Sequence, residues 1–175
     1  MELKFKKLNE KAVAPIRAHA TDAGLDLTCI EISTTLNECG QLMLVYHTGI
    51  AVEIPEGYVG LLFPRSSIYK KSLAQTNSVG VIDSGYRGEI MCVMRTTTDV
   101  LPAIYKEGER FCQLIIMKLP EIDVIEVDEL SKSTREEGGF GSTDKEVSAP
   151  TALQSDETAP IPEEAAGEKR PPEQV

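Results

Sequence analysis

With 175 residues and a formal net charge of −10, the chain has the length of one domain with a tail. Its acidic balance argues against a nucleic-acid-binding surface, which needs basic residues, although local arginines and amides can still hold a small anion. No stretch is long and apolar enough to cross a bilayer, and the N-terminal segment Met1–Lys7 has no apolar secretory core. We therefore expect a cytoplasmic protein with no membrane partner and no nucleic-acid partner.

Short apolar segments separated by Gly and Pro dominate the chain up to about residue 119. They are Gly49–Ile54, Tyr58–Phe63, Val79–Ile82, Gly88–Met94 and Gln113–Leu119. A spacing of about ten residues with such punctuation predicts an all-β sandwich, barrel or jelly roll. One short helix is expected around Ser66–Leu73. Aromatic residues are 5% of the chain, so apolar strands such as Leu114–Met117 are expected to complete their burial in an oligomer.

The four cysteines have neither CxxC spacing nor histidine partners; they are Cys29, Cys39, Cys92 and Cys112. Cys92 and Cys112 stand in apolar runs, which is typical of thiols buried as small hydrophobic residues. We expect free thiols in a reducing compartment and no zinc site.

The composition changes after Thr143. Residues 144–175 are rich in Ala, Pro, Glu, Ser and Thr, with eight acidic and three basic residues. Such a segment cannot bury enough apolar surface to offset its ordering entropy. We therefore expect a β domain over residues 1–130, a mobile arm over residues 131–143 and a disordered acidic tail over residues 144–175.

Five segments contain polar residues that a β core does not need. In chain order they are Ala23–Leu27 around Asp26, Pro64–Ser67, Gly80–Gly88 with its Asp and Tyr, Gly108–Gln113 and Arg135–Thr143. Pro64–Ser67 puts a cation and two hydroxyls at a strand-to-helix junction, where free backbone N–H groups favour phosphate.

The glycine-rich segment Arg135–Thr143 suits closure over a ligand better than it suits a core. Its glycines allow close approach to phosphate oxygens, and Phe140 offers a flat face to a base. Arg135, Ser142 and Thr143 can hold anionic oxygens. Taken alone, a solvated Gly-rich linker is the commoner interpretation, but with the other four segments it indicates a nucleotide.

In this order and spacing, the five segments resemble the motifs of trimeric dUTPases (deoxyuridine 5′-triphosphate nucleotidohydrolases), from about Lys4 to Thr143. The resemblance implies a distorted jelly-roll or β-clip barrel with one short helix and a flexible C-terminal arm. It also implies a homotrimer whose active sites each draw on three chains. The expected reaction is Mg²⁺-dependent hydrolysis of dUTP to dUMP and pyrophosphate. That activity keeps uracil out of DNA and supplies dUMP for dTMP synthesis.

The resemblance assigns catalysis to two residues. Asp83 matches the carboxylate that orients and activates the attacking water, which makes it a general base, and Ser66 would stabilise the leaving oxygen. An Asp followed by Ser-Gly is, however, more often a turn cap. Asp26 matches the carboxylate that reaches Mg²⁺ through water, with the ion held mainly by the phosphates.

The resemblance also assigns substrate contacts. Asn77 matches the residue that reads the uracil edge together with the backbone of a hairpin at Gly80, Val81 and Ile82, and Tyr86 would pack under the deoxyribose. The expected phosphate and closing contacts are Arg65, Ser67, Gln113, Arg135, Phe140, Gly141, Ser142 and Thr143. A turn role for Asn77 and a strand role for Tyr86 remain open.

Several alternatives remain at this stage. Arg65 and Arg110 can instead form surface or interface ion pairs, and we favour that interpretation for Arg110. A related dCTP deaminase needs a carboxylate where this chain has Val93, which argues against deamination. A nucleotide-binding regulatory protein that acts through the acidic tail is the alternative from another functional class. Departures from the family pattern occur at Leu25, Ser67, Gly85, Thr96 and Asp144.

Overall fold

The structure, a computed structural model, describes residues 1–98 and 101–138. Contacts divide the chain into two compact units, Met1–Val124 and Ile125–Val175. The predicted boundary at residue 130 lies a few residues beyond this division and stays a prediction. The predicted tail and residues 139–143 of the predicted arm lie outside the described residues. None of the described helices is long and apolar enough to cross a membrane.

The unit Met1–Val124 contains ten strands in the part of the chain that the structure describes. They are β1 (Lys4–Lys7), β2 (Leu25–Thr28), β3 (Glu31–Leu36), β4 (Leu42–His47), β5 (Ile50–Glu53), β6 (Tyr58–Pro64), β7 (Leu73–Gln75), β8 (Gly80–Ile82), β9 (Met91–Thr96) and β10 (Arg110–Lys118). A single short 3-10 helix, Ser66–Lys70, follows β6. The all-β prediction is confirmed, and so is the short helix, although β7 already begins at Leu73.

The strands form three antiparallel sheets. One sheet has the order β2-β10-β6-β8, a second has the order β3-β4-β9-β7, and β1 pairs with β5 in a two-stranded ribbon. In the first sheet, the long strand β10 pairs with β2 on one side and with β6 on the other. This arrangement brings together segments that are far apart in the sequence.

The predicted hairpin around Asp83 is wrong in one respect. The turn itself is present, since Tyr86 N–H donates to Asp83 O at 3.0 Å. The strands on either side of it do not pair with each other, because β8 pairs with β6 whereas β9 pairs with β4 and β7. The segment Asp83–Ile90 therefore connects two sheets, and local turn chemistry could not reveal that connection.

The core lies between the sheets and is built around three aromatic rings. Tyr46 stacks on Phe111 at a centroid distance of 5.0 Å, and Tyr105 meets Tyr46 edge-on at 6.3 Å. Leu114 is fully buried within the single chain, whereas Met117 near the end of the same strand is half exposed. The segment Leu114–Met117 was expected to complete its burial in an oligomer. Within one chain it is buried at Leu114 and half exposed at Met117.

Three of the four cysteines belong to this core, and all four are free thiols. The expected burial of Cys92 and Cys112 is confirmed, Cys29 is buried as well, and Cys39 is exposed. Desolvation by burial raises the pKa of the Cys29 thiol to about 11 and that of the Cys92 thiol to about 12. These buried thiols are therefore protonated and unreactive at neutral pH.

Candidate active site

Three neighbouring strands assemble a polar cleft from the first, second and fourth of the sequence segments. Gln113 in β10 stands opposite Asp26 in β2 and opposite Phe63 in β6, and β6 leads directly into Arg65 and Ser66. These side chains line a cleft of about 250 Å³ together with residues from Ala18 to Gly24. The expected grouping of Asp26, Arg65, Ser66 and Gln113 is thus present.

Two arginines surround the Asp26 carboxylate. Arg65 Nε lies 2.9 Å from Oδ1, and Arg110 Nη1 lies 3.0 Å from Oδ2, while the Asp26 side chain is only 11% exposed. A carboxylate at this depth needs such partners, because burial of an unpaired charge is strongly unfavourable. Arg110 therefore forms an ion pair, as expected, with Asp26 as its partner. The cluster carries one net positive charge, which suits a phosphate.

Gln113 is held in one orientation. Its Nε2 donates to Pro64 O at 3.2 Å, so its Oε1 points the other way, towards Gly24. A Cβ on Gly24 would overlap that oxygen. The glycine of the first segment is therefore needed for the Gln113 side chain to lie in the cleft, a requirement that sequence reasoning missed.

Magnesium fits this cleft only as an ion that arrives with a phosphate ligand. Both Asp26 oxygens already bind arginines, so this carboxylate suits a contact through water. Within residues 1–98 and 101–138, no group of three His, Cys, Asp or Glu side chains is arranged to hold a metal.

A second cleft, of about 220 Å³, lies beside the turn after β8. It is lined by Val81, Ile82, Asp83, Tyr86, Glu89, Met91 and Val93. Among described residues it shares no lining residue with the cleft at Asp26. Of the predicted base and sugar contacts, Val81, Ile82 and Tyr86 therefore lie apart from the predicted phosphate contacts at Asp26, whereas Asn77 and Gly80 line neither cleft.

The turn that carries Asp83 is fixed by its own hydrogen bonds. Arg87 Nη1 donates to Ser84 O at 2.5 Å and to Tyr86 O at 2.9 Å. The Tyr86 hydroxyl donates to Glu89 O at 2.9 Å, and its ring occupies space that any Cβ on Gly88 would fill. Tyr86 is thus a positioned ring at the cleft rather than a strand aromatic.

The Asp83 carboxylate makes no hydrogen bond to any residue that the structure describes, although the backbone oxygen of Asp83 closes the turn. It is exposed at the second cleft. The turn-capping alternative therefore finds no support in the side-chain contacts, and the carboxylate is available to solvent or to a ligand.

Comparison with known proteins decides the family. A model of the dUTPase family matches residues 10–144. The deoxyuridine 5′-triphosphate nucleotidohydrolase of Hydrogenobaculum sp. is 40% identical over 144 residues, which cover 82% of this chain and 98% of the relative. That of Nautilia profundicola is 40% identical over 146 residues, with 83% and 100% covered. The chain belongs to the dUTPase family.

Solved structures of dUTPases share the fold. A variant of the Staphylococcus bacteriophage 80alpha dUTPase with dUpNHpp has a TM-score of 0.69 and 32% identity, and covers 81% of this chain and 98% of that chain. A dUTPase variant from phage phi11 of S. aureus, described for the coordination of a structural Mg(II) ion, has a TM-score of 0.61 and 29% identity, and covers 74% of this chain and 98% of that chain.

The remaining predicted residues of this dUTPase-family chain line another cleft, belong to the second unit or lie outside the described residues. Ser67 binds the Tyr105 hydroxyl at 3.1 Å and faces a third cleft. Arg135 belongs to the second unit, where its Nε donates to Gly138 O at 2.7 Å. Four predicted arm residues lie outside the described residues: Phe140, Gly141, Ser142 and Thr143.

Two polar residues near the second cleft were missed by sequence reasoning. Glu89 is held by Gly49 N–H at 2.7 Å and by His47 Nδ1 at 3.3 Å. Gln75 is buried in β7 and contacts Asn77. The burial of Gln75 could have been predicted from the sequence, because β alternation places it on the same face of β7 as Leu73. A Gln on a buried face calls for hydrogen-bond partners.

Proposed function

We propose that the chain hydrolyses dUTP to dUMP and pyrophosphate, with water attacking the α-phosphorus. The new bond joins the water oxygen to that phosphorus. The bond from that phosphorus to the oxygen bridging to the β-phosphate breaks, so pyrophosphate leaves with the electron pair. Asp83 orients the water and takes its proton. The observation that carries this assignment is the exposed Asp83 carboxylate, which makes no hydrogen bond to a described residue and stands on a fixed turn.

The cleft at Asp26 holds the phosphates. Arg65 and Arg110 outweigh the single Asp26 charge, and charge-assisted hydrogen bonds from arginine to phosphate are strong. Ser66, which makes no side-chain hydrogen bond to any described residue, stabilises the leaving oxygen. Gln113 supplies a further polar contact to the triphosphate, whereas Ser67 is bound to the Tyr105 hydroxyl and faces another cleft.

Asp26 would hold, through water, a Mg²⁺ ion bound to the triphosphate. When bound, the ion neutralises part of the phosphate charge that builds up as pyrophosphate leaves. The chain's own contribution is to position the triphosphate by the two arginines that pair with Asp26.

The second cleft selects the nucleoside. The Tyr86 ring, held by Glu89 O, packs under the deoxyribose and leaves no room for a 2′-hydroxyl. Asn77 and the backbone of Gly80, Val81 and Ile82 read the uracil edge. Asp83 also accepts from the sugar 3′-hydroxyl.

The working unit is a homotrimer with shared active sites. Two observations support this: the phosphate cleft and the nucleoside cleft share no lining residue within the described chain, and large apolar side chains such as Ile122 are exposed. In each site one chain supplies the nucleoside cleft, a second supplies the phosphate cleft, and the third supplies the arm from Arg135 to Thr143. A cytoplasmic location and a role of residues 144–175 outside catalysis remain predictions.

The test is pyrophosphate release from dUTP in the presence of Mg²⁺. We expect Asp83→Asn to bind a non-hydrolysable dUTP analogue but to lose about 100-fold or more in turnover, the usual effect of removing a general base. Glu56→Gln, a carboxylate-to-amide change at the exposed β5–β6 turn, is the matched control and should turn over normally. Near-normal turnover by folded Asp83→Asn would remove Asp83 from the mechanism.

Shared sites have their own test. Chains with Asp83→Asn mixed with chains that end before Arg135 should recover activity, because some sites in a mixed trimer receive an intact Asp83 and an intact arm. No recovery after confirmed co-assembly would contradict shared sites.

A further inference from the structure

Gln75 is a polar side chain buried on the face that β7 turns to the core. It pairs with Met94 in β9, and it is 9% exposed. The same strand face carries the buried Leu73. An apolar side chain would pack equally well at this position, so the presence of a buried amide needs an explanation.

The orientation of the Gln75 amide follows from its partners. Leu62 O is a carbonyl and can only accept, so the group that faces it at 3.2 Å must be the Nε2 amino group. The same Nε2 donates to Asn77 Oδ1 at 2.9 Å. Gln75 Oε1 is buried and has no hydrogen-bond partner among the described residues.

The orientation of Asn77 follows in turn. Asn77 Oδ1 accepts the hydrogen bond from Gln75 Nε2. Asn77 Nδ2 donates to no residue that the structure describes, so it is available to donate to a ligand. A Cβ built on Gly80 would lie 3.6 Å from this Nδ2. The amide nitrogen therefore lies beside the start of β8, the backbone assigned above to the uracil edge.

We infer that Gln75 is a specificity-determining positioning residue, which fixes the Asn77 amide so that a donor and not an acceptor faces the pyrimidine. The inference rests on the proposed function. Position 4 of uracil is a carbonyl and accepts from an N–H donor, whereas position 4 of cytosine is an amino group and would meet that donor with another donor. Gln75 thus favours uracil over cytosine without touching either base.

The backbone around Asn77 does not depend on the Gln75 side chain for its shape. Val79 N–H donates to Asn77 O at 2.6 Å, and Ser78 has a φ of 59°. Loss of the Gln75 amide therefore frees rotation about the last side-chain torsion of Asn77, which exchanges Oδ1 and Nδ2. A free amide presents either group, and discrimination between the two bases falls.

Stability alone does not explain the amide. A buried carbonyl oxygen without a partner is unfavourable, and Gln75 carries one in Oε1. A methionine has a similar length and no such oxygen. The hydrogen bond to Asn77 explains the presence of the amide at position 75, which packing does not.

The experiment compares Gln75→Met with wild type and with Gln41→Met. Gln41 lies in the exposed turn between β3 and β4, so it controls for the chemistry of the substitution. Turnover of dUTP gives kcat and KM, and competition by a non-hydrolysable dCTP analogue gives its inhibition constant. We expect Gln75→Met to lower the preference for dUTP over the dCTP analogue about 3- to 10-fold, the worth of one neutral hydrogen bond. The change should fall on KM and the inhibition constant, with kcat within about twofold.

Asn77→Asp provides the second variant. Gln75 Nε2 still donates to one carboxylate oxygen, and the other oxygen presents an acceptor to the base, so the preference should fall further than in Gln75→Met. A preference in folded Gln75→Met equal to that of Gln41→Met would overturn the inference while leaving dUTP hydrolysis in place. Absence of dUTP hydrolysis by wild type would instead overturn the proposed function, and the inference with it.

One measurement on the wild-type protein does not depend on any variant folding. An NMR coupling across the hydrogen bond from Gln75 Nε2 to the side-chain carbonyl of Asn77 should be present, together with a single set of Asn77 amide signals. Two interconverting Asn77 amide orientations in the wild type would overturn the inference.

Discussion

Replacing Asp26 by Asn perturbs the centre of the phosphate cleft. The carboxylate binds Arg65 Nε at 2.9 Å through one oxygen and Arg110 Nη1 at 3.0 Å through the other. The Asn amide has a single oxygen, so it can accept from one arginine only, and it turns an NH₂ group towards the second. The variant should therefore be less stable than wild type.

The magnitude follows from the burial of the three side chains. Breaking a fully buried ion pair from one side costs about 3–5 kcal/mol. Here Asp26 is 11% exposed, but Arg65 and Arg110 are 30% and 41% exposed, so solvent partly compensates the arginines. Loss of one charge-assisted hydrogen bond alone costs about 1.5–3 kcal/mol. We expect the free energy of unfolding to fall by about 2–4 kcal/mol.

The assay is urea unfolding followed by circular dichroism at one fixed protein concentration. Glu53→Gln is the matched control, because Glu53 pairs with Lys4 at a similar distance, 2.8 Å, on the exposed ribbon of β1 and β5. Exposed ion pairs contribute little, so the control should unfold near the wild-type midpoint. Equal midpoints for Asp26→Asn and Glu53→Gln would refute the assignment of a structural charge cluster to the cleft.

Three further predictions concern the core. A thiol reagent at neutral pH should label only Cys39 in the folded chain and all four cysteines after unfolding; early labelling of a second site would contradict the burial. Burial raises the pKa of Cys29 and Cys92 from 9.0 to about 11 and about 12, so above pH 9 the unfolded chain releases protons that the folded chain keeps. Urea midpoints should therefore fall as the pH rises from about 9 towards 12, and a rise would contradict the reasoning. A Cβ on Gly60 would lie 2.7 Å from a core side-chain carbon, so Gly60→Ala should lower stability by about 1–3 kcal/mol, whereas Gly85→Ala, with nothing within 4 Å of its Cβ, should not.

Strands with a continuous apolar run and a clear stop were predictable from the sequence. The predicted strand Tyr58–Phe63 corresponds to β6, Tyr58–Pro64. Its aromatic and branched side chains favour a strand, and the proline at its end indicates where the strand stops. Short or polar strands such as β1, Lys4–Lys7, carry too few apolar residues to show a period. Their place is decided by the strand they pair with, which local patterns do not encode.

The candidate site was predictable where a motif carries its own chemistry. Asp26, Arg65 and Gln113 come together as expected. The pairing of Arg110 with Asp26 depends instead on the register between β2 and β10, which includes a shift near Arg110. The contact of Gln75 with Leu62 O likewise joins two strands, β7 and β6, so tertiary structure had to reveal both. The contact of Gln75 with Asn77, by contrast, spans only two residues.

One experiment tests both the selectivity for dUTP and the attack at the α-phosphorus. An equimolar mixture of dUTP, dTTP, dCTP and UTP is incubated with the wild-type chain and Mg²⁺ in water enriched in heavy oxygen, and the products are followed by mass spectrometry. We expect dUMP to form first, with the heavy oxygen in its phosphate and none in pyrophosphate. Heavy oxygen in pyrophosphate, or monophosphates formed at comparable rates from all four nucleotides, would contradict it.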